Sequence, residues 1–181
     1  CALPICSIER LCEVHGFDPS QTVKVLVLLA RFAEGPSQPV LVSLRGDQQL
    51  NPVKLANAVA ARASSGAGAL LDITPITPEQ VQAQGLEPLP MGYLGPQLED
   101  RLLAGAKDWH PQWLRLVDPT ARELPRFVCG ANRVDTHWSG ASWDTIKPAG
   151  DVVDLRSAQP GDRCVHDPSQ RLEARSEEHT S

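Results

Sequence analysis

The chain has 181 residues, of which 22% are charged, and a formal net charge of −5 at pH 7. This length fits one domain with a substantial core, since about 150 residues already bury roughly 70% of the unfolded surface. The mildly acidic balance argues against a non-specific nucleic-acid binder, which depends on clustered Lys and Arg side chains. The longest apolar run, Val23–Phe32, is interrupted by Lys24 and Arg31 and is too short to span a membrane.

The chain ends and the cysteines give further expectations. The first residue is Cys1 rather than Met, so we expect a fragment of a longer protein, with residues 1–6 as a flank. Residues 176–181 resemble a translated sequencing adapter and are expected to be an artefact; removing their two glutamates changes the net charge from −5 to −3. The five cysteines contain no CxxC pair, and Cys164 and His166 together provide too few ligands to hold a metal ion. A reducing cytoplasm is the simplest setting.

The first part of the chain is predicted to hold a short helix and two buried strands. Ser7 is a suitable N-cap for a helix over Ile8–His15, and Asp18 precedes a proline at the permitted first position of another turn. Val23–Phe32 and Val40–Arg45 are rich in Val and Leu and flank a cluster of turn residues. This pattern predicts a hairpin or two neighbouring strands that are buried.

Two further helices are predicted from capping signals. Asn51 followed by Pro52 combines an N-cap with a proline at the first helical position. Lys54 falls off the apolar face of this helix, which consists of Val53, Leu55, Ala56, Val59 and Ala60. After a linker of small residues, Thr77–Gln80 forms a capping box that opens a short helix ending near Gly85.

The second half of the chain is predicted to be mostly loops and short strands. Leu86–Pro96 is rich in proline and glycine and must be an irregular loop, a kind of segment that often carries function. The strand candidates are Trp113–Val117, Arg126–Cys129, Trp138–Trp143 and Val152–Leu155. We therefore predict an α/β (α+β) domain with a mixed, curved central β-sheet and surrounding helices.

Lys54 and a pair of glycines are candidate site residues. Lys54 lies one turn inside its helix, near the free N–H groups that favour anions, although a surface lysine is usually only solvated. Gly92 and Gly95 punctuate a loop whose backbone N–H groups can approach a carbonyl oxygen on which negative charge develops. An ordinary turn is the simpler interpretation of that local sequence.

Asp118 and His137 are the other two candidates. Asp118 ends an apolar run and precedes a proline, a position where aspartate usually only forms a turn, but where a carboxylate can also hold an ammonium group. His137 titrates near cytoplasmic pH, although a lone histidine is more often a packed or surface residue. No GxSxG, Walker or GxGxxG motif occurs.

Four motifs, taken in order, carry a family resemblance. LRGDQQLNPVKL, GYLGP, LRLVD and FVCGANRVDTHWSG resemble the editing (insertion) domain of bacterial-type prolyl-tRNA synthetases. The resemblance covers most of Ser7–Asp154, and the Arg-bearing motifs with which class II synthetases bind ATP are absent. It implies a domain over residues 7–157, followed by a linker over residues 158–175 that returns to the catalytic domain of the parent enzyme.

The resemblance also implies a function for the candidate residues. The family hydrolyses alanine that has been attached mistakenly to the proline tRNA, and it uses no cofactor. Lys54 would anchor the terminal adenosine or its phosphate, Gly92 and Gly95 would position the ester carbonyl, and Asp118 and His137 would shape the amino-acid pocket. The implied partners are the acceptor end of the mischarged tRNA and the catalytic and anticodon-binding domains of the parent synthetase, with no membrane. No covalent nucleophile and no metal are expected.

Two alternatives remain open from the sequence. A free-standing deacylase of the same superfamily would act on another mischarged tRNA. A non-catalytic insert would bind tRNA or serve a structural role, and a deacylation assay would separate it from an enzyme.

Overall fold

The computed structural model describes residues 8–163, 167 and 169–173. Several expectations lie outside the described residues: the flank over residues 1–6, the Ser7 cap, the pair formed by Cys164 and His166, and the adapter-like residues 176–181. Within the described ranges the α-helices are α1 (Ile8–His15), α2 (Pro52–Ala60), α3 (Pro78–Ala83) and α4 (Pro119–Arg122), with 3-10 helices at Pro19–Gln21 and Asp100–Leu103. None of these helices is long and apolar enough to cross a membrane.

A mixed five-stranded sheet forms the centre of the molecule. Its strands are β1 (Val23–Phe32), β2 (Gln38–Arg45), β3 (Leu70–Pro75), β4 (Leu114–Val117) and β7 (Asp151–Val152), in the order β3-β1-β2-β4-β7. β1 runs antiparallel to β2 and β3, whereas β4 runs parallel to β2 and β7. A separate hairpin is formed by β5 (Phe127–Arg133) and β6 (Thr136–Ala141). The prediction of a mixed central sheet with helices around it is confirmed.

The central sheet is buried on both faces, which explains why β1 and β2 have continuous apolar sequences. Successive side chains of a strand point to opposite faces. Leu29 and Leu41 accordingly pack with Trp109 in one core cluster, whereas Leu28 and Val42 pack in a second cluster against α2. A third cluster under the β5–β6 hairpin is built from Val23, Val117, Ala121, Phe127, Cys129, Ala141, Trp143 and Ile146.

Local capping chemistry sets the helix boundaries as the sequence predicts. The Asn51 side chain accepts hydrogen bonds from the amides of Val53 and Lys54, and the capping box between Thr77 and Gln80 has both of its bonds. These bonds satisfy amides that have no partner within the helix.

Several strands differ from the sequence prediction. β5 is Phe127–Arg133 rather than Arg126–Cys129, and β7 is Asp151–Val152 rather than Val152–Leu155. β3 occupies a segment for which no strand was predicted, and it pairs with β1 from Leu28 to Phe32. The last hairpin strand is Thr136–Ala141 rather than Trp138–Trp143, because Trp143 lies beyond the strand in the third core cluster. There its indole N–H donates to the Ala121 carbonyl at 2.9 Å.

Candidate active site

Lys54 is bound to the chain segment that follows β7. Its Nζ donates to Asp154 Oδ2 at 2.7 Å and to the Arg156 carbonyl at 3.0 Å, and 38% of its side chain remains exposed. The helix start is tied to the same segment, because the Asn51 amide donates to the Leu155 carbonyl at 2.7 Å. The N-terminus of α2 and the 154–156 segment therefore form one unit around the lysine ammonium.

Asp118 is buried next to that unit, with 1% of its surface exposed. One carboxylate oxygen accepts from the amide and hydroxyl of Thr120, at 2.9 and 2.7 Å, and so caps α4. The other accepts from the amides of Leu155 and Arg156, at 2.9 and 3.1 Å. Arg156 thus links the two candidates, since its N–H donates to Asp118 and its carbonyl accepts from Lys54. The Asp118 carboxylate is fully engaged by these four donors.

The glycine loop, Gly92–Pro96, packs directly on the backbone of β5. Asn132 joins the two, because its amide donates to the Tyr93 carbonyl at 2.9 Å and its side-chain oxygen accepts from the Gly95 amide at 2.7 Å. A Cβ atom on Gly95 would lie 2.0 Å from the Gly130 carbonyl oxygen, and one on Gly130 would lie 2.3 Å from the Tyr93 oxygen. Only glycine allows so close an approach at both positions.

The two loop glycines offer different backbone groups. The Gly95 amide is committed to Asn132. Gly92 is exposed and has a left-handed φ of +87°, and no hydrogen bond joins its amide to another residue of the described ranges. Gly92 therefore has the amide that is available to a substrate oxygen.

His137 lies on β6 directly opposite Gly130 and is half-buried. Its ring centroid is 5.5 Å from that of Tyr93, and the Tyr93 hydroxyl donates to Asp135 Oδ1 at 2.6 Å. Burial lowers the pKa of the His137 imidazole below its usual value, the nearby charge of His15 lowers it further, and the Asp135 carboxylate opposes both. The ring is thus held in its neutral form beside the glycine loop.

A cavity of about 390 Å³ lies beside β1 and the glycine loop. We call it the β1 cavity; its lining is Val25, Leu26, Val27, Leu28, Leu50, Pro75, Ile76, Met91, Gly92 and Leu94. Leu50 directly precedes the α2 cap and is bridged to Arg156, while Gly92 belongs to the glycine loop. No hydrogen bond or ring contact within the described residues joins His137 to Lys54 or Asp118. The β1 cavity is thus lined by residues adjacent in the chain or bridged to both groups, whereas Lys54, Asp118 and His137 are not part of its lining.

The sequence profile of the aminoacyl-tRNA editing domain matches residues 3–147 of the chain. The chain belongs to the aminoacyl-tRNA editing domain family. It is 54% identical over 169 residues to a proline-tRNA ligase of Prochlorococcus marinus strain MIT 9313, covering 93% of this chain and 28% of that protein. It is 55% identical over 166 residues to a proline-tRNA ligase of Synechococcus sp. strain WH7803, covering 92% and 27%. The chain therefore spans little more than a quarter of these curated relatives.

The fold is also similar to that of a solved structure. A putative trans-editing enzyme for prolyl tRNA synthetase superposes with a TM-score of 0.53 at 18% identity, covering 84% of this chain and 81% of that one. This likeness concerns the fold of the editing domain alone.

Several residues around the editing-domain site were not predicted as site residues from the sequence. Asp154 and Arg156 hold Lys54, but they are separated from it by 100 and 102 residues, and no local pattern marks such a contact. Asn132 and Tyr93 fall inside the GAN and GYLGP motifs, which singled out those segments but gave no role to these two side chains. Cys129 is buried in the third core cluster, and burial raises the pKa of its thiol to about 12.

Proposed function

We propose that this editing domain hydrolyses the ester of a mischarged aminoacyl-tRNA, with alanine attached to the proline tRNA as the substrate. The observation that carries the proposal is the apolar β1 cavity, which is lined by Gly92 of the glycine loop and by Leu50, the residue that precedes the α2 cap and is bridged to Arg156. Membership of the editing family and the similarity to proline-tRNA ligases support the substrate class. The acceptor end of the tRNA would reach the domain from a parent synthetase, whose catalytic and anticodon-binding domains would hold the rest of the tRNA.

A second site of this kind answers a physical problem. Alanine is smaller than proline, so a synthetic pocket shaped for proline cannot exclude it sterically, and missing methylene groups change binding by only about 1–3 kcal/mol. A separate hydrolytic pocket that prefers alanine corrects the resulting error. The apolar lining of the β1 cavity suits a small apolar side chain.

Each part of the site has a distinct task in the proposed reaction. An ammonium group has three donors, and Lys54 uses two of them on Asp154 and Arg156, which leaves one for the substrate phosphate or adenosine. The Gly92 amide donates to the ester carbonyl oxygen, where negative charge develops as water attacks the carbonyl carbon. The ester C–O bond then breaks, the ribose oxygen leaves as a hydroxyl with a proton from the water, and free alanine is released.

Asp118 and His137 act in different ways. Because the Asp118 carboxylate already accepts four hydrogen bonds, we assign it to positioning the Arg156 backbone, and through it Lys54. This differs from the direct contact with substrate that the sequence suggested. We assign His137 to the amino-acid pocket through Tyr93, because its ring packs against Tyr93 of the glycine loop, whose neighbours Met91, Gly92 and Leu94 line the β1 cavity.

The test compares deacylation of Ala-tRNA and Pro-tRNA, both made with the proline acceptor. Lys54→Ala should depress both rates and leave their ratio nearly unchanged, because Lys54 contacts the end common to every tRNA. His137→Ala should widen the pocket and lower the Ala-to-Pro ratio about tenfold, which corresponds to roughly 1.4 kcal/mol. Lys107→Ala is the matched control, since Lys107 is exposed and away from both groups.

Three outcomes would contradict the proposal. If the unmodified chain shows no hydrolysis above background, the domain is a non-catalytic insert. If Lys54→Ala retains full activity, or if His137→Ala leaves both rates unchanged, these residues are outside the site.

A further inference from the structure

A second, larger cavity lies on the other side of the glycine loop. This cavity, which we call the Trp138 groove, has a volume of about 680 Å³ and runs between the chain around Gln97 and the β5–β6 hairpin. Its lining includes Trp138, Arg133, Asn132 and Arg101. Trp138 is 46% exposed, whereas the other three tryptophans are buried at 4–6% exposure, namely Trp109, Trp113 and Trp143. One large aromatic face is therefore presented to solvent inside a groove.

The charges beside Trp138 suit an anionic ligand. Arg133 is exposed and forms no ion pair with any residue in the described ranges. Arg101 also lines the groove and pairs with Glu99, which contributes the one carboxylate of this lining. Two guanidinium groups and one carboxylate leave the groove with a net positive charge, although the chain as a whole is acidic.

We propose that the Trp138 groove binds the unpaired 3′-terminal nucleotides of an RNA strand, with one base stacked on Trp138 and the adjacent phosphate at Arg133. An exposed aromatic ring beside an unpaired basic side chain is the combination with which proteins hold single-stranded nucleic acid. Asn132 adds a side-chain N–H group that can donate to a base edge, because only its oxygen is engaged by Gly95. This inference rests on the proposed function, because the strand it describes is the one that carries the ester.

The groove and the candidate active site are built from the same chain segment. Asn132 lines the groove and also holds Gly95 of the glycine loop. The chain from Pro88 to Leu98 contributes to both cavities, since Met91, Gly92 and Leu94 line the β1 cavity while Pro90 and Gln97 line the groove. A strand bound in the groove would therefore contact the same chain segment that carries Gly92.

The test uses the full chain and an uncharged RNA tetranucleotide, 5′-ACCA-3′, so that binding is measured without hydrolysis. Because Trp138 is the exposed tryptophan, stacking should quench part of the intrinsic fluorescence in a saturable way. Anisotropy of the labelled RNA then ranks the variants. Trp138→Ala should weaken binding at least tenfold, whereas Trp138→Phe, which keeps a stacking face, should stay within about threefold of wild type.

Arg133→Ala tests the phosphate contact separately. It should weaken binding and reduce the slope of log affinity against log salt by about 1, while the control Lys107→Ala should leave the slope unchanged. Arg133 is exposed, so this variant is expected to fold even if a change at Trp138 does not.

The groove assignment is overturned if RNA causes no quenching, or if Trp138→Ala and Arg133→Ala bind as tightly as wild type. A second outcome would also overturn it, in favour of a docking surface: RNA does not bind, and another protein domain protects Trp138 from quenching. These results are distinguishable from failure of the proposed function: a chain that hydrolyses Ala-tRNA but ignores the tetranucleotide contradicts the groove alone. A chain that binds RNA through Trp138 without hydrolysing any ester contradicts the enzymatic proposal alone.

Discussion

At the scale of single residues, Lys54 holds its charge next to a carboxylate that a substrate phosphate can replace. The partner, Asp154, is 62% exposed, and ion pairs of this kind contribute only about 0–1 kcal/mol to stability. The second acceptor of Lys54 is the Arg156 carbonyl, which has no net charge that would compete with a phosphate. In the proposed complex, a phosphate that takes the third donor of the ammonium competes only with this weak ion pair, while the bond to the Arg156 carbonyl keeps the ammonium in place.

His137 provides a prediction about pH. Because burial, and then the charge of His15, lower the pKa of its imidazole, the midpoint of its NMR titration should fall below the usual value of about 6.5. Asp135→Asn removes the carboxylate that opposes this shift and should lower the midpoint further. His15→Ala removes a positive charge and should raise the midpoint.

The same shift affects stability, with a definite sign. A folded-state pKa below the unfolded value means that the unfolded chain binds the proton more readily. The free energy of unfolding should therefore decrease as pH falls below about 6.5 toward the lower folded-state midpoint. A His137→Gln variant should lack this component in urea titrations across the same pH range. A midpoint at or above the usual histidine value would contradict the packing described for His137.

At the scale of elements, the site depends on close packing of the glycine loop against β5. Gly130→Ala would place a methyl group 2.3 Å from the Tyr93 carbonyl oxygen and 2.4 Å from that of Leu94. One of the two backbones must shift, at a cost of about 1–3 kcal/mol or more for overpacking. We expect a lower melting temperature and, because the Gly92 amide moves with the loop, a large loss of deacylation.

A glycine on the partner strand of the same hairpin supplies the control. Gly140 has a left-handed φ of +73° but nothing within 4 Å of an added Cβ. Gly140→Ala should cost roughly 1–2 kcal/mol in backbone strain and leave deacylation close to wild type. Equal activity losses in the two variants would show that general destabilisation, rather than the loop contact, controls the rate.

Local sequence patterns predicted the helices and strands that neighbouring residues specify. The α2 and α3 starts follow from the caps of Asn51 and Thr77, and the β1 strand agrees with the predicted run Val23–Phe32. The prediction failed for β3 because that strand depends on pairing with the distant strand β1. It failed for the bounds of β6 because these depend on its pairing with β5 and on the burial of Trp143. Patterns within a short window do not contain this information.

The site could be predicted only in part for the same reason. The motifs singled out Lys54, Gly92 and His137, whose roles stay predictions, and of these three Gly92 lines the β1 cavity. They did not distinguish the available amide of Gly92 from the committed amide of Gly95, since that difference depends on the Asn132 side chain 37 residues away. The sequence likewise presented Asp118 as a ligand for substrate, whereas its four donors come from the chain itself.

At the scale of the whole molecule, the segment after β7 connects the core to the site. Asp118, at the end of β4, accepts from the amides of Leu155 and Arg156, and Leu155 packs fully buried in the cluster beneath α2. The Arg156 guanidinium donates to Asp162 Oδ2 at 2.6 Å, and the Gln159 side chain donates to the Asp47 carbonyl at 2.9 Å. Residues beyond the predicted domain boundary at 157 therefore contact the domain.

These contacts give a prediction about the domain boundary. The three core clusters consist of residues before 156, so a chain ending at Ser157 should fold, with a melting temperature only slightly reduced. It loses Asp162, the ion-pair partner of Arg156, whose side chains are each 26% exposed and contribute about 0–1 kcal/mol. The Arg156 carbonyl, which accepts from Lys54, is then less firmly positioned. The deacylation rate should therefore fall more than the stability does.

A point substitution separates the ion pair from the rest of the removed segment. Asp162→Asn in the full chain should reproduce most of the activity loss, because it removes the charge that Arg156 pairs with, while the amide oxygen of Asn can still accept from the Gln159 N–H. Asp167→Asn is the matched control, since the Asp167 carboxylate accepts from its neighbour Ser169. If the chain ending at Ser157 unfolds, the domain extends past that residue. If it folds and deacylates at the full rate, Lys54 is fixed without Asp162, and Asp118 alone is sufficient to position the Arg156 backbone.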